Sequence, residues 1–169
     1  SRQKETRAYL KVQDGCNSFC SYCTIPYARG RVRSRKVENI LAEARDLAEA
    51  GYKEIVLTGI HVCSFGQDRG EDSTALIYLA GALDQIGGIE RIRLSSLEPQ
   101  SITEEFVRLA SEVKHLCPHF HLSMQSGSDT ILRSMNRKYD TKVFMEAVNR
   151  IHKYFPVAGI TSDVIVGFP

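Results

Sequence analysis

The stretch AYLKVQDGCNSFCSYC, residues 8–23, joins a short strand-like segment to a loop that carries three cysteines. Its first part, residues 8–13, alternates apolar and polar residues, which is typical of a β-strand. Cys16, Cys20 and Cys23 follow with a C-x3-C-x2-C spacing. Because three thiols on one short loop can converge on a single metal centre, this stretch predicts a metal-binding loop directly after the first strand.

Segments with strand and helix character alternate along the rest of the chain. Segments whose apolar residues recur every three or four positions, as on one face of a helix, indicate helices, and short runs of apolar residues indicate strands. We predict strands over residues 54–58, 91–95, 119–125 and 160–166, and helices over residues 37–50, 75–86, 128–135 and 141–154, with one more helix headed by Thr103. Strand and helix alternate five times, which indicates parallel βα units. Both an open doubly wound sheet and a whole or partial (β/α) barrel fit, and both bind ligands at the carboxyl ends of their strands.

Composition limits the class of protein. The chain has 169 residues, of which 43% are hydrophobic and 25% charged, which suits one domain with its own core. No segment approaches the roughly 20 apolar residues of a membrane span, so we expect no membrane contact. Five cysteines, three of them clustered, without a secretory signal favour metal ligation in the reducing cytoplasm over a secreted disulfide framework.

Positive charge is concentrated near the start of the chain. Residues 1–36 carry nine Lys or Arg and two Asp or Glu, whereas the remainder is net negative. Five of these cations follow the cysteine loop within eight residues, with no acid among them: Arg29, Arg31, Arg33, Arg35 and Lys36. Such asymmetry predicts a basic rim that faces an anionic partner. The alternatives are a solvated segment and arginines that pair with acids inside the fold.

The number of cysteines bears on the kind of metal centre. A four-iron cubane needs four external ligands, so three cysteines leave one iron open to a substrate. A structural zinc site needs a fourth ligand, and no histidine lies at a suitable nearby spacing. Three cysteines within eight residues are also improbable as incidental core residues. We favour the iron–sulfur interpretation, and a zinc-binding module without enzymatic activity remains the alternative.

The cysteine loop, with Tyr22 as the aromatic residue before Cys23, resembles the signature of the radical-SAM superfamily. The sequence of residues 14–35 narrows this resemblance within the superfamily, because it is similar to the methylthiotransferases. The similarity continues through residues 57–59, 125–128 and 163–169. Gly59-Ile60-His61, followed by Gly66, is most similar to the bacterial enzyme that methylthiolates N6-threonylcarbamoyladenosine in tRNA.

This resemblance implies an α/β fold, a partial (β/α) barrel of the radical-SAM type with about five βα units that stops before the sixth. Residues 1–169 would be the radical-SAM core domain, without the N-terminal domain for a second cluster and the C-terminal TRAM domain that full members carry. We therefore expect a fragment that does not complete the whole reaction alone.

The resemblance also implies the reaction. A [4Fe-4S] cluster on Cys16, Cys20 and Cys23 would cleave S-adenosylmethionine with an electron from a donor protein. The resulting radical would activate carbon 2 of the modified adenosine beside the tRNA anticodon. The basic rim would then contact phosphates of the anticodon stem-loop. The alternatives are the same chemistry on isopentenyladenosine in tRNA or on a ribosomal protein.

Further residues near the predicted strand ends are candidates for binding S-adenosylmethionine. They are Tyr22, Thr58, Gly59, Glu98, Gln125, Ser126, Arg137 and Asp163. Glu98 could accept hydrogen bonds from an amine or ribose, and Arg137 could pair with a carboxylate through its planar fork. A plain turn at Gly59, a solvated Glu98 and an uncontacted Arg137 remain alternatives. We assign the five histidines to no metal and expect Cys63 and Cys117 to be small buried residues.

Overall fold

Six strands, six α-helices and three short 3-10 helices lie within residues 6–169, which are the part of the chain that this computed structural model describes. The strands are β1 (Ala8–Asp14), β2 (Arg33–Ser34), β3 (Glu54–Gly59), β4 (Arg91–Leu94), β5 (His119–His121) and β6 (Gly159–Thr161). The helices are α1 (Ile25–Arg29), α2 (Val37–Glu49), α3 (Thr74–Asp84), α4 (Glu104–Glu112), α5 (Asp129–Ser134) and α6 (Thr141–Tyr154).

The four connections between successive parallel strands place these strands side by side in chain order. β1 pairs with β3 and β3 with β4, while β5 pairs with β6, all parallel. Parallel bridges from Ile92 to Leu116 and from Leu97 to Leu122 join the two sets. A doubly wound sheet reverses its strand order at a switch point, whereas a barrel keeps it sequential. The order therefore confirms the partial (β/α) barrel with five parallel strands.

The core lies between this arc and its helices. Leu10, Leu57 and Leu94 are register partners on β1, β3 and β4, and all three are buried in one hydrophobic cluster with residues of α2, α3, α4 and α6. The neighbouring position Tyr9 points to the other face and is exposed. Along β1, alternation thus places Leu10 in the core and leaves Tyr9 and Lys11 exposed, whereas the first four residues of β3 are all buried.

Several boundaries differ from the sequence prediction. α1 and the antiparallel strand β2 were not predicted, because elements of five and two residues are too short to show a period. The strands predicted over 119–125 and 160–166 end at His121 and Thr161. Gln125 has a φ of 62°, in the left-handed region that regular strands avoid, and only a single bridge to Val164 continues the pairing.

The start of α4 agrees with the prediction. Thr103 accepts a hydrogen bond from the backbone N–H of Phe106, 3.1 Å away, as an N-cap residue does. Within residues 6–169, no helix has both the length and the apolar character that crossing a membrane would take.

Candidate active site

A pocket of about 180 Å³ lies at the carboxyl ends of β1, β3 and β4 and contains most of the predicted site. The predicted residues in its wall are Cys16, Cys20, Tyr22, Cys23, Glu98, Gln125 and Arg137. A larger groove of about 550 Å³ lies between α2 and α3, but none of the residues that line it is a cysteine or a histidine. We therefore take the smaller pocket as the candidate active site, since it gathers the side chains that can do chemistry.

The cysteine loop is held in place from two sides. Gly15 has a φ of 73°, and a Cβ built there would lie 2.0 Å from the carbonyl oxygen of Arg31. On the other side, Asn136 Nδ2 donates to the carbonyl oxygen of Phe19 at 2.8 Å, and the backbone N–H of Ser21 donates to the carbonyl oxygen of Met135 at 3.0 Å. Glycine at 15 is required because any side chain would collide with the returning chain.

Two of the three thiols have polar partners in the pocket. Burial by itself would raise the pKa of Cys16, but the neighbouring His61 and the backbone N–H of Ser18, which donates to Cys16 Sγ at 3.4 Å, lower it to about 7. Arg137 Nη1 lies 3.1 Å from Cys20 Sγ and donates to it. The lowered pKa of Cys16 favours its thiolate, which is the form that binds metals.

Glu98 connects the partners of these two thiols. One carboxylate oxygen lies 3.4 Å from His61 Nε2 and the other 3.4 Å from Arg137 Nη2. Both nitrogens are buried and lack a hydrogen-bond partner within the described residues. Burial lowers the pKa of His61, but the contacts with Cys16 and Glu98 outweigh it and raise that pKa above its ordinary value. The pocket wall therefore holds two donors with hydrogen-bonding capacity left for a ligand.

The arrangement of the thiols fits a multinuclear centre. Within residues 6–169, no group of three or more His, Cys, Asp or Glu side chains is arranged to hold one metal ion. A single zinc would require all its thiolates within about 2.3 Å of one point. The cysteines of a four-iron cluster each bind a different iron, and Cys16, Cys20 and Cys23 all line this one pocket.

Four predicted residues do not line the pocket: Thr58, Gly59, Ser126 and Asp163. A Cβ on Gly59 would come within 2.7 Å of Gln13 Oε1, so this glycine allows close packing of β3 on β1. Ser126 Oγ accepts from the backbone N–H of Ser128, and the exposed Asp163 carboxylate lies 3.5 Å from His121 Nε2. Their part in binding S-adenosylmethionine stays a prediction.

His61 is the site residue that our sequence analysis missed as a functional group. Its backbone N–H donates to Gln13 Oε1 at 3.0 Å, which fixes it two residues after the end of β3. That position at a strand's carboxyl end was visible in the sequence, but the contact with a glutamine 48 residues away was not. Cys63 and Cys117 are buried as predicted, and burial raises the pKa of Cys63 to about 12.

The basic rim divides into two kinds of arginine. Arg35 donates to Glu43 at 2.7 Å and to the carbonyl oxygen of Lys11 at 2.6 Å, so it pairs inside the fold. Arg29 and Arg33 each approach the Asp14 carboxylate at 3.9 Å, and both side chains are mostly exposed. Arg31 and Lys36 are exposed as well, so four of the five predicted cations can reach a partner.

Known proteins similar to this chain match it over almost its entire length. The profile of the Radical SAM superfamily matches residues 10–169. The threonylcarbamoyladenosine tRNA methylthiotransferases MtaB of Chlamydia pneumoniae and Bacillus subtilis are 48% and 46% identical over 100% and 97% of this chain. The tRNA-2-methylthio-N(6)-dimethylallyladenosine synthase of a Thermoanaerobacter species is 44% identical over 99% of it. The chain spans 39%, 36% and 36% of the length of these relatives.

Solved structures agree on the fold. The cobalamin-dependent S-adenosylmethionine radical enzyme OxsB superposes with a TM-score of 0.75 at 14% identity, over 93% of this chain and 23% of OxsB. Methylornithine synthase superposes with a TM-score of 0.68 at 14% identity, over 96% of this chain and 45% of the synthase. At such low identity, the likeness concerns the fold alone.

Proposed function

This chain belongs to the radical SAM superfamily, and from that premise we propose that it is the catalytic core of a tRNA methylthiotransferase acting on N6-threonylcarbamoyladenosine. The observation that carries the proposal is the gathering of Cys16, Cys20 and Cys23 around one pocket, with two thiols hydrogen-bonded. The two MtaB relatives support this substrate over the alternatives, since they share 48% and 46% of the aligned residues.

A [4Fe-4S] cluster bound by the three cysteines would supply the electron that cleaves S-adenosylmethionine. His61 and Arg137 would donate hydrogen bonds to the ligating sulfurs, which tunes a cluster's potential. Glu98 would orient both donors and could accept from an amine or ribose hydroxyl of the ligand. Ile25 and Ile60 contribute apolar walls that reduce the access of water.

The other residues predicted to bind S-adenosylmethionine would have supporting roles. Gln125 and Tyr22 lie in the pocket wall and could contact the nucleoside. Thr58, Gly59, Ser126 and Asp163 do not line the pocket and would act through the backbone of their strand ends. An electron donor protein of the cytoplasm would reduce the cluster.

Transfer RNA would approach over the basic rim. Arg29, Arg31, Arg33 and Lys36 are exposed beside the cysteine loop and would contact phosphates of the anticodon stem-loop. Arg35 would contribute less, because Glu43 already neutralises it. Specificity would come from the modified base in the pocket.

The test starts with anaerobic reconstitution with iron and sulfide. We expect about four irons per chain and loss of this iron in Cys16→Ala, Cys20→Ala and Cys23→Ala. Cys63→Ala and Cys117→Ala are the matched controls and should keep it, since both thiols lie in the core. Normal iron content in Cys16→Ala, or binding of zinc but no iron, would overturn the assignment.

The substrate is tested with the natural full-length protein, reductant and S-adenosylmethionine. Mass spectrometry of digested tRNA should show the 2-methylthio form of N6-threonylcarbamoyladenosine. The same experiment with isopentenyladenosine tRNA addresses the second candidate, which the 44% identity to the dimethylallyladenosine synthase favours. Methylthiolation of a ribosomal protein instead of either tRNA would refute both.

A further inference from the structure

An aromatic pair, formed by Phe19 of the cysteine loop and Tyr27 of α1, remains outside the pocket and unused by the chemistry above. Tyr27 on α1 is 81% exposed. Its ring meets the ring of Phe19 edge-on, with centroids 5.7 Å apart and an interplanar angle of 82°. The guanidinium of Arg31 covers Phe19 at 4.8 Å from the ring centroid. Phe19 is thus held between a cation and the edge contact with Tyr27, while most of the Tyr27 side chain stays open.

The backbone fixes this pair before any partner arrives. Phe19 has a φ of 49°, and its carbonyl oxygen accepts the hydrogen bond from Asn136 described above. Tyr27 sits in a short helix that begins with Pro26 in its first turn and ends with Gly30 N–H donating to the carbonyl oxygen of Pro26. A rigid aromatic side chain loses little conformational freedom on binding, which favours affinity.

The charge around the pair selects the kind of partner. Arg31 covers the Phe19 ring, and its near neighbours in the chain, Arg29 and Arg33, are exposed and approach the Asp14 carboxylate at 3.9 Å. Proteins bind unpaired nucleic-acid bases by stacking them on aromatic rings beside cations that contact the backbone. The exposed tyrosine and the arginines reproduce that combination next to the pocket.

We propose that Tyr27, supported by Phe19 and Arg31, is a stacking surface for an unpaired RNA base that neighbours the base in the pocket. This inference rests on the proposed function and names the protein's second contact with the anticodon loop. Stacking there would hold the loop open and keep the modified adenosine unstacked for the pocket. The contact is independent of base identity, because every base has a π-face.

Tyr78 on α3 provides a matched comparison. Its side chain is 62% exposed, but it borders the groove that also contains Glu71 and Asp72. The acidic surroundings would repel a phosphate backbone. Exposure alone therefore does not make a tyrosine a candidate, and Tyr78→Ala controls for the loss of an exposed ring.

The experiment uses the reconstituted full-length protein and an anticodon stem-loop RNA with 2-aminopurine at the unpaired position beside the substrate adenosine. Binding to the wild type should quench the 2-aminopurine fluorescence by stacking. Tyr27→Ala should lose this quenching and bind about tenfold more weakly, whereas Tyr27→Phe and Tyr27→Trp should keep both. Tyr78→Ala should behave as the wild type, and all variants should keep their iron.

The variant Arg33→Ala distinguishes the contribution of base stacking to RNA binding from the contribution of positive charge. It should weaken binding and flatten the salt dependence, while saturating protein still quenches the fluorescence. Unchanged affinity and quenching in Tyr27→Ala, in an enzyme that binds and methylthiolates tRNA, would refute the stacking surface alone. A wild type that neither binds the stem-loop nor modifies tRNA would overturn the proposed function together with it.

Discussion

Gly15 shows how one residue controls the direction of the cysteine loop. Its φ of 73° and the 2.0 Å approach of a built Cβ to Arg31 are two separate penalties. Gly70 has a similar φ of 80° but no atom within 4 Å of a built Cβ, so it isolates the backbone penalty. We expect Gly70→Ala to lower the free energy of unfolding by about 1 kcal/mol, and Gly15→Ala to lower it by about 3 kcal/mol or more.

Urea denaturation of the two variants, with unchanged m-values, measures this difference. Gly15→Ala should also lower iron incorporation, because the loop that follows it carries all three ligands. Equal losses of stability in the two variants would mean that the chain around Arg31 moves aside easily, and the loop would then not depend on this glycine.

The sequence predicted individual residues unevenly. The C-x3-C-x2-C spacing was enough to place three thiols around one pocket, because the ligands lie on one short loop. His61 was not predicted, because its position depends on Gln13 and its partners Cys16 and Glu98 lie far from it in the chain. The spacing of ligands on one short loop can be recognised in a sequence, whereas contacts between residues at the ends of different strands are found only in the three-dimensional structure.

At the scale of elements, Glu54 joins the first residues of β3 and β4. Its carboxylate accepts hydrogen bonds from Arg91 Nε at 2.9 Å and Arg93 Nε at 3.0 Å. Burial raises the pKa of Glu54, but the two arginines outweigh this and hold it below its ordinary value. A lowered pKa in the folded state contributes stability above the unfolded pKa, and this contribution is lost as the pH falls through the folded pKa.

We therefore expect the wild type to lose stability as the pH falls below the ordinary glutamate pKa of about 4.3, and Glu54→Gln to lose less over that range. At neutral pH, Glu54→Gln should unfold more easily by about 1–3 kcal/mol. Glu90→Gln is the control, since that carboxylate is 57% exposed and pairs with Lys53 at 3.2 Å, a surface pair of less than about 1 kcal/mol. Parallel pH profiles for the wild type and Glu54→Gln in thermal denaturation would contradict this role.

Among the elements, amphipathic helices were predicted best. The predictions over 37–50 and 141–154 nearly coincide with α2 and α6, since both have a strong apolar face. The predictions for β5 and β6 were too long, because apolar and alternating residues continue past the point where the backbone leaves the ladder at His121 and Thr161. The pattern of apolar and polar side chains indicates which residues are buried. Residues can remain buried after the strand's regular backbone hydrogen bonds have ended, so the pattern predicts strands that are too long.

For the molecule as a whole, the sequential strand order gives an arc whose edge strands, within the described residues, are β2 and β6. Five parallel strands were predictable from the alternation of periods, but the choice of barrel over doubly wound sheet came from the resemblance and the observed pairing. Within the described residues, β6 is hydrogen-bonded along one edge, to β5. The segment that follows it carries Val164, Ile165 and Val166, which are all exposed.

An exposed apolar run beside an unpaired strand edge promotes pairing with another chain. We therefore expect residues 1–169, produced alone, to self-associate as the concentration rises. Val166→Lys should reduce this association, because Val166 is 87% exposed beside the open edge. Val157→Lys adds the same charge at a residue that is 89% exposed, in the turn before β6, and should leave association unchanged. Sedimentation velocity at several concentrations distinguishes the outcomes: equal effects of both lysines would point to general charge repulsion, and a wild type that stays monomeric would show that the open edge is not adhesive.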